Sequence, residues 1–167
     1  MKLADEICRY LPKTVISSPY DVGLPNSFIG NFEADYFKLS KAQILTEYEV
    51  KISKSDFNND FLKTCYKSNK HNLIKDGKRC NRFYFVCPKN LIKISEVPEY
   101  CGLIYYENRN FSTIKTAPLI TKKILMKKED LFYKISLREK AYRIKLFDLQ
   151  SKYKKLEKQI NDNKSKR

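Results

Sequence analysis

Two acids and a lysine raise the first chemical question. Asp35 stands in EADYFKL, residues 33–39, and Glu49 and Lys51 follow in EYEVKIS, residues 47–53. Hard divalent cations such as Mg2+ take oxygen ligands, commonly one or two carboxylates completed by water and phosphate. An acid on each of two neighbouring strands can build such a site. A nearby ammonium can hold the attacking water or balance charge on a phosphate as its bond breaks. Side chains alternate along a strand, so Leu45, Glu47, Glu49 and Lys51 share one face, while Ile44, Tyr48, Val50 and Ile52 share the other. Taken alone, such alternating charges describe a solvated strand face. Two features favour chemistry. Asp35 interrupts an aromatic, sheet-forming stretch, and a helix starting at Ser55 or Asp56 lies just past the strand, where its free amides can receive a phosphate.

The elements that must position these residues can be read from periodicity. Leu3, Ile7, Tyr10 and Leu11 share a helical face, which predicts a helix over residues 1–11 with Glu6 at the edge of that face. Residues 12–31, punctuated by Pro12, Pro19, Gly23, Pro25 and Gly30, read as irregular, with at most a short strand at Thr14–Ser17. Residues 33–39 and 43–53 form a hairpin of two strands. Phe57, Phe61 and Cys65 repeat every four residues on the next helix and should face the core. RFYFVCP (82–88) is apolar nearly throughout, as a strand covered on both faces would be, and CGLIYYE (101–107) is a further strand. Phe83, Tyr84, Phe85, Tyr105 and Tyr106 are therefore assigned to the core. The predicted fold class is α/β, a mixed central sheet flanked by helices and followed by a long basic C-terminal helix.

The whole chain sets the limits. Its 167 residues suit one domain with a tail, and a net charge of +15 suits a polyanionic partner, since each lysine or arginine on a phosphate releases counterions. Residues 112–167 hold 17 Lys and Arg against 6 Asp and Glu, which leaves +4 for the first 111 residues. A second basic stretch, 67–82, carries Lys67, Lys70, Lys75, Lys78, Arg79 and Arg82 against Asp76 alone, and reads either as a solvated loop or as a track for a DNA backbone. A zinc site from Cys65, His71, Cys80 and Cys87 can be drawn, but the spacing fits no common module, and free thiols in a reducing cytoplasm suit the five cysteines better. Asp5 and Glu6 in MKLADEICRY argue against a signal peptide, and no apolar run is long enough to span a membrane.

The run EADYFKLSKAQILTEYEVKISKSDFNND resembles the core of the PD-(D/E)XK nuclease superfamily, in which an Asp is followed about a dozen residues later by an acid-x-Lys triplet. Asp35 matches the first acid, and Glu49-Val50-Lys51 the triplet. The run is similar, more narrowly, to Holliday-junction-resolvase-like and MmcB-type DNA-repair nucleases, which share the step Ser53-Lys54-Ser55-Asp56-Phe57, a later apolar strand ending in proline, and a Gly-Leu-Ile strand. The resemblance covers residues 30–107. It implies a restriction-endonuclease-like fold and hydrolysis of DNA phosphodiesters with Mg2+, or Mn2+ in its place. It implies that Asp35 and Glu49 ligate the metal with the Val50 carbonyl, that Lys51 orients or activates water, and that Glu6 supplies a further acid from the first helix. Ala34 stands where the superfamily name expects proline, and Glu47 has no fixed role in the pattern.

These readings give a nuclease domain over 1–126, a basic helix over 127–160 and a disordered tail over 161–167. The expected function is a metal-dependent DNA endonuclease of repair, recombination or phage DNA processing, in the cytoplasm of a bacterial or phage-infected cell. The alternative is a DNA-binding protein that keeps the fold without catalysis. A third reading is an RNA-binding or assembly factor built on the C-terminal helix. Expected DNA contacts are Lys54, Ser55, Lys67, Lys70, His71, Lys78 and Arg79, and the DNA is plain or branched. In the last helix Tyr142, Leu146, Leu149, Tyr153, Leu156 and Ile160 repeat at heptad spacing. That stripe can pack on the sheet, pair with a second copy to form a homodimer, or accompany a basic arm along DNA.

Overall fold

The structure is a computed structural model. It describes residues 2–164, with side chains placed from Lys2 to Gln159. The chain divides into two units, one ending at Lys127 and one beginning at Lys128.

The first unit holds α1 (Leu3–Val15), β1 (Val22–Ile29), β2 (Phe32–Leu39), β3 (Leu45–Val50), α2 (Lys54–Asp60), β4 (Thr64–Cys65), β5 (Ser68–Asn69), α3 (Lys70–Lys75), β6 (Arg82–Pro88), β7 (Cys101–Glu107) and β8 (Asn110–Lys115). Six strands form one mixed sheet in the order β1-β2-β3-β6-β7-β8, and β4 pairs with β5 as a separate small hairpin. β1, β2 and β3 run as an antiparallel meander, whereas β6 is parallel to β3 and to β7. A parallel neighbour needs a crossover. Here α2, the β4–β5 hairpin and α3 supply it.

Register fixes what each face carries. Tyr48 lies between Tyr36 and Tyr84, and Val50 pairs with Val86, which pairs with Ile104. Helix α1 lays Ile7, Leu11 and Val15 on this apolar face. The helix runs a turn beyond the expected end at Leu11, through Pro12, and the extra turn buries Val15. On the opposite face Glu47 sits beside Phe37 and Phe83, and Glu49 beside Phe85. All six residues of β3 are buried, so its alternating charges do not mark a solvated face and the sheet is covered on both sides at this strand.

The expected irregular stretch also needs correction. Residues 22–29 form β1, while Thr14–Ser17 closes α1 instead of forming a strand. Pro25 and Gly23 lower strand propensity, but β1 is an edge strand, where proline's missing donor costs no ladder bond. β8 went unread because its Asn110-Phe111-Ser112-Thr113 run is largely exposed and polar. Helix α2 is capped by Ser53, whose side chain accepts from the Asp56 amide at 3.1 Å, two residues before the expected start.

The second unit is the single helix α4 (Lys128–Lys164). It enters the stretch 161–167 expected as a tail, and residues 165–167 lie outside the described residues. Tyr142, Leu146, Leu149, Tyr153 and Leu156 are all exposed. Arg143 pairs with Glu139 one turn away at 2.7 Å.

Candidate active site

The β2–β3 ladder runs from Leu39 and Leu45 to Tyr36 and Tyr48. One step further, a side chain replaces the ladder: Val50 N–H donates to Asp35 Oδ2 at 2.7 Å. On the other edge of β2 the register passes from Pro25–Tyr36 to Ser27–Ala34, and Asn26 between them has a φ of 44°. Asp35 thus stands where regular pairing gives way on both sides. Burial, and then the negative charge of Glu49, raise its carboxyl to about 6, against the opposing pull of the Val50 amide, Lys51 and Lys70. Cys8 of α1 borders the same pair. Burial first, then Asp35, Asp5 and Glu49, push its thiol up to about 11.

Behind Glu49 lies an ionic network, buried except at Lys63, that the sequence did not reveal. Lys51 Nζ donates to Glu49 Oε1 and to Asp60 Oδ1, both at 3.0 Å. Lys63 reaches Glu49 Oε1 and Asp60 Oδ1, each at 2.7 Å. Lys70 donates to Glu49 Oε2 at 2.7 Å and lies 3.5 Å from Asp60. His71 Nε2 meets Asp60 Oδ2 at 2.8 Å, and its Nδ1 meets the Tyr100 hydroxyl at 3.1 Å. Burial alone would raise the Asp60 carboxyl. The His71 hydrogen bond and the ammoniums of Lys70, Lys51 and Lys63 outweigh it and hold Asp60 far below the usual carboxylate range. The rings of Phe61, Phe83 and Phe85 pack around His71, and Phe57 packs in turn on Phe61 and Phe85.

Glu47 touches the same network through Lys70, 3.6 Å from its Oε1, and joins it to a second construction. Its Oε1 accepts from Arg79 Nη2 at 2.7 Å, and Arg79 also holds the Ile29 carbonyl and, at 3.3 Å, that of Phe32. Arg79 therefore clamps the β1–β2 turn to β3. Glu47 Oε2 and Arg79 Nε are buried without a hydrogen-bond partner among the described residues.

The expected DNA-contacting residues divide in two. Lys70, His71 and Arg79 are buried within these networks, so the expectation that they track a DNA backbone from a solvated loop is corrected. Carboxylates on β3 and α2 draw them inward. Lys67 and Lys78 are exposed, Lys78 paired with Asp76 at 2.9 Å. Ser55 is exposed on the first turn of α2, and Lys54 pairs with Glu96. Glu6 is held from β7 and the turn after it: Tyr106 donates to its Oε1 at 2.6 Å, and Arg109 lies 4.0 Å off. All five cysteines are free thiols.

Two of the network's members were missed by sequence reasoning. Asp60 lies three residues after Phe57 and so on the inward face of α2, and an acid at such a position was the available signal. Lys63 lies in the connection between α2 and β4, where no periodicity marks it. No group of three His, Cys, Asp or Glu suited to a metal ion occurs among the described residues. A hard cation can be held with only two carboxylates. Both oxygens of Glu49 accept from lysine ammoniums, so a cation held by Asp35 and Glu49 would share that carboxylate with Lys51, Lys63 and Lys70.

No family model matches the chain, and no curated protein matches it. Among solved structures it is similar to SPO1766, a protein of unknown function from Silicibacter pomeroyi, at 17% identity and a TM-score of 0.59 over 85% of this chain and 89% of the other. At that identity the similarity concerns the fold. No helix among the described residues is long and apolar enough to cross a membrane.

Proposed function

We propose that the chain is a divalent-metal-dependent DNA endonuclease with a PD-(D/E)XK-type centre, acting in the cytoplasm on DNA of repair, recombination or phage processing. One observation carries the reading: the interrupted β2–β3 pairing brings Asp35 beside Glu49, and Lys51 is locked onto the same carboxylate. Asp35 and Glu49 would hold Mg2+ or Mn2+, which supplies Lewis acidity and a more acidic bound water. Lys51 is fixed between Glu49 and Asp60, so its ammonium is set in place to orient water or balance phosphate charge without reorganising. His71 fixes Asp60 from behind.

The test is cleavage of a panel of linear and branched DNAs with Mg2+ and with chelator. Alanine at Glu49 or Lys51 would strand buried charges, so the variants of choice are Glu49→Gln and Lys51→Met. Each is expected to lose activity by about a hundredfold or more while remaining folded. Full cleavage by either folded variant would sink the reading. A second reading, a DNA-binding protein that keeps this fold without catalysis, is favoured by the lysines that occupy both oxygens of Glu49. It predicts salt-sensitive DNA binding and no cleavage by the wild type under any metal.

A further inference from the structure

The β4–β5 hairpin rises directly from the candidate site. At one foot Lys63 bonds Glu49 and Asp60, and at the other Lys70 bonds Glu49. The Lys70 amide donates to the Lys63 carbonyl at 3.0 Å, and the Asn69 side chain donates to the Phe61 carbonyl at 2.8 Å, which closes the base. Cys65 pairs with Ser68, so Tyr66 and Lys67 make the two-residue tip.

That tip is built against backbone preference. Tyr66 and Lys67 both adopt left-handed angles, with φ of 46° and 65°. Two-residue hairpin turns with both residues left-handed favour Asn-Gly, because a Cβ is penalised there, most of all on a bulky residue. Here the strained position carries an aromatic ring that is 88% exposed, the most exposed of the chain's large hydrophobic side chains among the described residues. Leu62, beside the hairpin's foot, is also exposed. An exposed ring next to a lysine, on a stem rooted at the proposed nuclease centre, matches the chemistry of nucleobase capture. Unstacked bases lie on aromatic faces, and lysine meets the adjoining phosphate.

We infer that Tyr66 and Lys67 form a subsite for an unpaired nucleobase and its phosphate in DNA, so that the hairpin directs the site to flaps and other single-stranded stretches where bases are exposed. The inference rests on the DNA reading above and deepens it by naming the substrate feature. Plain duplex offers no free base face, so Tyr66 adds nothing there.

The full chain is titrated in chelator against three fluorescent ligands: a plain duplex, a DNA carrying a single-stranded flap, and the matching RNA strand. Tyr66→Ala is expected to weaken flap binding about tenfold and duplex binding less than twofold, with Tyr66→Phe retaining wild-type affinity. Equal losses on flap and duplex, or no loss on either, overturn the subsite. A larger loss on RNA overturns its assignment to DNA. If the wild type binds none of the three, the nucleic-acid reading itself fails. If binding follows the expected pattern but no metal supports cleavage, the nuclease reading fails and the subsite stands.

Discussion

The two faces of the central sheet hold their helices by opposite means. On one, α1 sets Ile7, Leu11 and Val15 on Tyr36, Tyr48, Val50, Val86, Ile104 and Tyr106, an apolar contact that needs no particular geometry. On the other, α2, the following connection and α3 deliver Asp60, Lys63, Lys70 and His71 to Glu49 and Lys51. Removing two or more charges from water is costly, and a well-packed apolar substitute often serves stability as well or better. A face that keeps so many charges therefore spends stability on something the apolar face does not provide. A catalytic centre is one such use, because fixed charges in a dry site act strongly on a reacting phosphate.

The contrast can be broken from either side, and the largest effect is expected on the charged face. Asp60→Ala leaves His71 and three ammoniums short of a partner and should cost about 3–5 kcal/mol in chemical denaturation, with Asp60→Asn recovering part of it. Leu11→Ala on the apolar face should cost about 2–5 kcal/mol by opening a cavity, with little change when salt is raised. A neutral outcome for Asp60→Ala would mean that the ionic face is ornamental.

A smaller effect separates Asp35 from Asp60 by pH. The Asp35 carboxyl is raised to about 6, so the folded chain holds its proton where the unfolded chain has released it. Its contribution to stability is complete below about pH 4 and is lost as pH climbs through 6. Asp60 is lowered, so its contribution is present at neutral pH and is lost on strong acidification. Asp35→Asn should therefore raise metal-free stability near pH 7 by about 1–2 kcal/mol and flatten the decline between pH 4 and 6, as followed by thermal melts. An unchanged pH profile would remove Asp35 from the crowded pair.

Much of the fold was legible because its strands carry plain patterns. RFYFVCP and CGLIYYE match β6 and β7 residue for residue, and residues 33–39 form all but the first position of β2. The site was legible in part. Asp35, Glu49 and Lys51 could be drawn on neighbouring strands from alternation; Lys51 bonds Glu49, and Asp35 accepts from the Val50 amide between them. Their burial was illegible, because the countercharges at Asp60 and Lys70 come from the crossover between β3 and β6, and alternation in one strand says nothing about what covers it. The same gap explains why Lys70, His71 and Arg79 read as surface cations. Glu47 and Glu49, two residues apart on one face, share Lys70, and Arg79 claims Glu47 in addition.

The proposed centre stands or falls on whether Asp35 and Glu49, at the end of the β2–β3 ladder, bind a cation. Calorimetric titration of Mn2+ into the wild-type chain, Asp35→Asn and Glu49→Gln tests it without relying on turnover. The account predicts one bound ion in the wild type, with binding weakened about tenfold or more in either folded variant. No binding by the wild type, or equal binding by all three proteins, would contradict it.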